Sequence, residues 1–166
     1  MVENVSQMDH LEIEVNRGKE FGPDDILLSI KAVINGGAWP KKLDVDVFFD
    51  ALTRDGRLPL FTCGCGVFEC GGYYVDVSRT RAGWTWRNRY APNNPEHADH
   101  ATILEPIEVH FSWANVRAAA GTLLAALQTL RHDTPTARLT TSISSGDLSS
   151  HLARYDEQAQ ALAREL

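Results

Sequence analysis

The sequence predicts an α+β fold: a largely antiparallel sheet of about six strands with two or three helices, the C-terminal helices packed on one face. Three observations lead there. Residues 10–16, His-Leu-Glu-Ile-Glu-Val-Asn, alternate apolar and polar side chains with the period of a half-buried strand. Further strand-like runs fill the chain as far as residue 111. Beyond it, Val116, Ala120, Leu123, Leu127 and Leu130, and then Leu148, Leu152, Tyr155, Ala159, Leu162 and Leu166, repeat with the helical period. Strands first and helices last is an α+β order rather than an alternating one.

In order along the chain, 10–16 is followed by a Gly- and Pro-containing loop to Asp25. A second strand over 26–34, ended by Asn35-Gly36-Gly37, is expected to pair with the first as an antiparallel hairpin. Residues 43–54 fit either period. Asp44 and Asp46 near the start and Gly56 after the end favour a helix. Leu58 to Cys63 reads as a short strand, with Pro59 suggesting an edge or a first position. Tyr73 to Val77 and Trp84 to Asn88 form a second hairpin about the turn 78–83, with Trp84 and Trp86 on one face as core residues. Residues 91–100 are a polar loop, Ile107, Val109 and Phe111 mark a sixth strand beyond Pro106, and 132–146 read as a loop rich in Thr and Ser.

At 166 residues the chain has the size of one domain, residues 1–166, and buries enough surface for a core without staples. No stretch is long and apolar enough to span a bilayer, and the N-terminus has neither the basic nor the apolar region of a signal peptide. The three cysteines, Cys63, Cys65 and Cys70, are odd in number and clustered, which points to a reducing, cytoplasmic setting rather than a secreted disulfide framework.

The net charge is −6 and unevenly spread. Residues 1–55 hold 11 acids against 6 bases, residues 56–91 hold 5 Arg against 2 acids, and residues 92–166 hold 9 acids against 5 Arg. An acidic surface repels phosphate and favours basic protein partners. The densest carboxylate group is Asp44, Asp46 and Asp50, flanked by Asp24, Asp25 and Asp55. Asp46 and Asp50 share a helical face, but nothing nearby completes an acid–base site. The Arg79, Arg81, Arg87 and Arg89 hairpin interleaves cations with aromatics, as a nucleic-acid surface would. The acidic flanks argue against that use and leave the arginines as a solvated rim. No phosphate-binding loop, nucleophile elbow or zinc-protease motif is present, and no cofactor is expected.

The segment Phe61-Thr-Cys-Gly-Cys-Gly-Val-Phe-Glu-Cys-Gly-Gly-Tyr-Tyr-Val packs three cysteines and four glycines into ten positions, 63–72. Three thiolates there would make most of a zinc site, with a fourth ligand from His97, His100 or His110. The Cys-x-Cys spacing lacks the usual second pair, which favours small side chains in a packed turn. Asp99 accompanies His97 and His100 on their loop.

This segment, with Trp84 and Trp86 on the return strand, resembles a group of small uncharacterised bacterial proteins sharing a Cys-x-Cys-Gly-x-x-x-Cys-Gly-Gly element. The likeness covers about residues 26–90. Some such small acidic proteins resemble immunity proteins of contact-dependent inhibition and related polymorphic toxin systems. The resemblance implies a non-enzymatic protein that covers the active site of a basic toxin domain, without nucleic acid or membrane as partner. No catalytic residue is carried over. Asp24, Asp25, Asp44, Asp46 and Asp50 are the expected partner contacts, and a metal or thiol centre on Cys63, Cys65 and Cys70 is the alternative.

Overall fold

The computed structural model describes residues 7–17, 25–26, 28–62, 71–88, 107–141 and 145–165. Ten strands and three helices occupy them: β1 Leu11–Arg17, β2 Asp25–Ile26, β3 Leu28–Ile34, β4 Gly37–Leu43, α1 Val45–Ala51, β5 Gly56–Thr62, β6 Tyr73–Thr80, β7 Gly83–Asn88, β8 Ile107–Phe111, α2 Trp113–Asp133, β9 Arg138–Thr140, β10 Ser145–Asp147 and α3 Leu148–Glu165. The main sheet has seven strands in the order β1-β3-β4-β5-β6-β7-β8, and its pairs are antiparallel. A small sheet, β10-β9-β2, stands beside it, with β2 parallel to β9.

Both predicted hairpins form. β1 pairs β3 from Leu11–Ile34 to Arg17–Leu28, and β6 pairs β7 from Asp76–Arg87 to Thr80–Gly83. The sheet has one strand more than expected, because β4 follows β3 directly. Asn35 (φ 52°) and Gly36 (φ 81°) both take positive φ, the geometry of a two-residue hairpin turn that Asn-Gly favours. What reads as the end of a strand is therefore a reversal. β5 lies between β4 and β6, but β4 pairs with it only at Phe61 and Thr62, so Pro59 stands past the end of that pairing and where the register with β6 shifts between Leu58 and Phe61. Residues 132–146 are also more than loop, since β9 and β10 form there.

The apolar side chains of the strands turn to one face, and the helices cover it. Trp84 and Trp86 are fully buried, with ring centroids 4.9 Å apart at 71°. Trp84 meets Phe48 of α1 at 5.7 Å and Trp113 of α2 at 6.5 Å. Trp86 meets Phe111 at 5.1 Å and Phe61 at 5.8 Å, and the half-buried Trp39 stacks on Phe61 at 5.1 Å. Val116, Ala120, Leu123, Leu127 and Leu130, the predicted helical stripe, are the buried side of α2.

The sheet's two edge strands meet at one corner. Asp9, just before β1, donates its N–H to the His110 carbonyl of β8 at 2.7 Å. Its carboxylate takes the His110 N–H at 2.8 Å and the Asn35 side-chain amide at 2.8 Å. Asn115, in the first turn of α2, meets both the N–H and the C=O of Leu11, at 2.8 and 2.9 Å, as a neighbouring strand would.

The two core tryptophans differ in one respect. Trp84 Nε1 donates to the Ala51 carbonyl at 3.2 Å, whereas Trp86 Nε1 has no hydrogen-bond partner among the described residues. Replacing either by Ala should cost about 3–5 kcal/mol. Replacing either by Phe should separate them: Trp84→Phe orphans a carbonyl, while Trp86→Phe removes an unpaired donor and is the milder change. Urea unfolding of the four variants measures this, and equal losses for the two Phe variants would contradict it.

Candidate functional site

The acidic group of α1 divides three ways. Asp44 is the N-cap: its carboxylate accepts the Val47 N–H at 3.0 Å, and the residue is buried. Asp50 stays near the surface, with its carboxylate 3.1 Å from Arg54 one turn on. Asp46 points inward, and its side chain is only 3% exposed. Of the other expected partner contacts, Asp25 lies in β2 opposite Arg138 of β9, and Asp24 lies outside the described residues. Of the three α1 acids, Asp50 is open to solvent, while Asp44 and Asp46 are committed within the chain.

Asp46 is the centre of the most concentrated polar cluster in the described structure. Thr141, just after β9, donates to Oδ2, while Arg154 and the Tyr155 hydroxyl of α3 donate to Oδ1. His151, buried one turn before Tyr155, places Nδ1 3.6 Å from Asp46 Oδ1 and 3.2 Å from both Arg154 Nη2 and the Tyr155 hydroxyl. A guanidinium can only donate, so Nδ1 is the acceptor and the ring proton sits on Nε2. Packing sets the geometry. Phe49 stacks on Tyr155 with centroids 4.5 Å apart at 11°. Phe49 follows Asp46 by three residues, so the stack aims the hydroxyl at the carboxylate. Burial first, then the bond to Asp46, raises the ionisation of Tyr155 above the ordinary tyrosine range; burial alone does the same for Tyr73.

The cluster joins α1 to α3 and to the chain after β9. A cavity of about 30 Å³ beside it, lined by Lys42, Asp44, Thr62 and Thr141 among others, has room for a water or two. Half-buried Lys42 has its ionisation lowered by burial and by Lys31 opposite it across the strands. Sequence reasoning found Asp46 and Tyr155 separately, one as a charge and one as a core position. It missed His151, Arg154 and Thr141. The available signal was His151, a polar residue on the apolar stripe of α3 four positions before Tyr155.

The other polar feature is the outward face of the sheet. Arg57, Asp76, Arg87 and Glu108 stand opposite one another on four successive strands, a row of alternating sign. Arg57 lies 3.9 Å from Asp76, and Arg87 donates to Glu108, which raises the ionisation of the guanidinium. Arg79 is held by Asp55 through its N–H at 2.8 Å and Nε at 3.3 Å. Both tryptophans of the hairpin are buried and turned away from these arginines, and Tyr74 is the exposed aromatic of β6. Arg89 and the residues Cys63, Cys65, Cys70, His97, Asp99 and His100 lie outside the described residues.

Among the described residues no group of three or more His, Cys, Asp or Glu is arranged to hold a metal, and no helix is long and apolar enough to cross a membrane. No protein-family model, curated protein or solved structure matches this chain.

Removing the Asp46 carboxylate takes the shared acceptor from Thr141, Arg154 and Tyr155. Asp46→Ala should cost about 3–5 kcal/mol, whereas Asp50→Ala, which loses an exposed pair, should cost about 1 kcal/mol or less. Equal urea midpoints for the two would refute the inward placement of Asp46. Stability should also fall as pH rises above about 10, where tyrosines of the unfolded chain ionise while Tyr73 and Tyr155 hold their protons. Below that pH the contribution is fully present. Thermal melts across the alkaline range test this, and Tyr155→Phe should flatten the decline.

Proposed function

We propose that this chain is a non-enzymatic binding protein of the bacterial cytoplasm, an immunity protein that neutralises a cognate toxin domain by covering its basic active site. The observation that carries the proposal is where the charge lies. The chain carries a net charge of −6, with the acid excess in residues 1–55 and 92–166. Six arginines, Arg54, Arg57, Arg79, Arg87, Arg138 and Arg154, already pair with acids of the same chain. A net-acidic chain whose arginines are so engaged suits a protein steered to a positive cleft and not to phosphate. The resemblance of the cysteine–glycine segment points the same way.

A second reading, a zinc- or thiol-dependent protein built on Cys63, Cys65 and Cys70, has one observation in its favour. β5 ends, β6 begins, β7 ends and β8 begins at the same end of the sheet. The described residues that flank the cysteines, Thr62 and Tyr73, and those that flank His97 and His100, Asn88 and Ile107, stand at that end. Protein purified without a metal-affinity column should contain well under one zinc per chain. A stoichiometric zinc that survives dialysis would favour the second reading.

The domain encoded directly upstream is the partner to test. It should co-purify with this chain when the two are co-expressed. Replacing Asp24, Asp25 and Asp50 by Asn should slow association at low salt and flatten its salt dependence, with the fold unchanged. Unchanged rates and slopes would place the interface elsewhere, and no complex at all would overturn the proposal.

A further inference from the structure

We propose that Thr85 is an activated hydroxyl that accepts an acyl group from a small activated ester. Thr85 of β7 and His110 of β8 are direct cross-strand partners on the outward face, and Thr85 Oγ1 lies 2.9 Å from His110 Nδ1. His110 Nε2 lies 3.1 Å from Glu108 Oε1, and Arg87 donates to Oε2 of the same carboxylate. A carboxylate only accepts, so in the neutral ring Nε2 carries the proton and Nδ1 is left to take the threonine's. Hydroxyl, imidazole and carboxylate thus stand in the order that activates a nucleophile, with the base oriented by a third group. The backbone is fixed as well, since Asp9 takes the His110 N–H at 2.8 Å.

The hydroxyl opens on a cavity of about 220 Å³, lined in part by Met8, Thr80, Ala82, Gly83, Thr85 and His110. Gly83 admits no side chain, because a Cβ there would stand 2.2 Å from the Phe111 carbonyl oxygen. The Met8 and Ala82 walls suit a short acyl or aryl group. In the reaction Thr85 Oγ1 bonds to the acyl carbon while His110 Nδ1 takes the hydroxyl proton. The bond from the acyl carbon to the departing oxygen then breaks, and that oxygen receives the proton from His110. The acyl group remains on Thr85 as an ester, and nothing is oxidised or reduced. The charged groups that face His110 are Glu108 on its own strand, Arg87 on β7 through Glu108, and Asp9 from the segment before β1. Glu108 is a positioning residue that orients the ring.

The test uses the full chain and p-nitrophenyl acetate, with peptide mapping by mass spectrometry after short exposures. Thr85 should gain an acetyl ester faster than any lysine is acetylated. Thr85→Ser should retain the reaction, Thr85→Val should abolish it at this position, and His110→Gln should slow it about a hundredfold. Glu108→Ala should slow the labelling, and Glu108→Gln, which still accepts the ring N–H, should restore most of it, a rescue by the conservative variant that a merely structural role would not produce. All the substituted side chains are at least partly exposed, and circular dichroism confirms that each variant is folded. Absence of label at Thr85 in the folded wild type, or an undiminished rate in His110→Gln, would overturn the proposal.

Discussion

The meeting of the two edges of the main sheet at one corner constrains everything packed against it. β1 and β8 stand at opposite ends of the strand order, yet Asp9 bonds to the backbone of His110 on both its donor and acceptor sides. The same carboxylate holds the turn between β3 and β4 through Asn35. Asn115 answers the backbone of Leu11 and so ties the start of α2 to β1. A sheet drawn together at a corner curls, and its inner face becomes the concave bed in which Trp84, Trp86 and Phe111 meet α1 and α2. The corner also blunts what would otherwise be two open edges, which are the usual sites of unwanted strand pairing.

Within that frame the carboxylates follow local physics rather than the acidic average of the region. Asp44 serves the first turn of α1. Asp46 joins α1 to α3 and to the chain after β9, and it is shielded because Phe49 and Tyr155 stack over the same stretch of helix. On the outward face, acids and arginines alternate across the strands, so the face is solvated without carrying a net field.

Much of this was legible in the sequence, for identifiable reasons. The period-2 pattern of Leu11, Ile13 and Val15 and the helical stripe from Val116 to Leu130 both depend on one buried face, and both elements form as read. The core position of Trp84 and Trp86 followed from their shared side of a strand. β4 was hidden because Trp39, Pro40, Lys41 and Lys42 do not alternate. The register shift between β3 and β4 falls in that stretch, and a bulged strand loses its period. The Asn35-Gly36 turn was the signal that could have revealed it. The polar cluster was only half legible, since charge density marks Asp46 but nothing local says that it faces inward. That outcome depends on Thr141, His151, Arg154 and Tyr155, about a hundred residues away along the chain. Whether Thr85 and His110 face each other likewise depends on the register of β7 with β8, which the long connection between those strands conceals.

Native-state hydrogen exchange at the corner tests the account most directly. Leu11 and His110 are in edge strands, where amides pointing away from the sheet ordinarily exchange by local fraying. If Asn115 and Asp9 close the corner, both amides should exchange only through openings close to global unfolding, on a par with Val75 and Trp86 in the middle of the sheet. Asp9→Ala should release His110, and Asn115→Ala should release Leu11. Fast exchange of both amides in the wild-type protein would contradict a closed corner and, with it, the fixed position of His110.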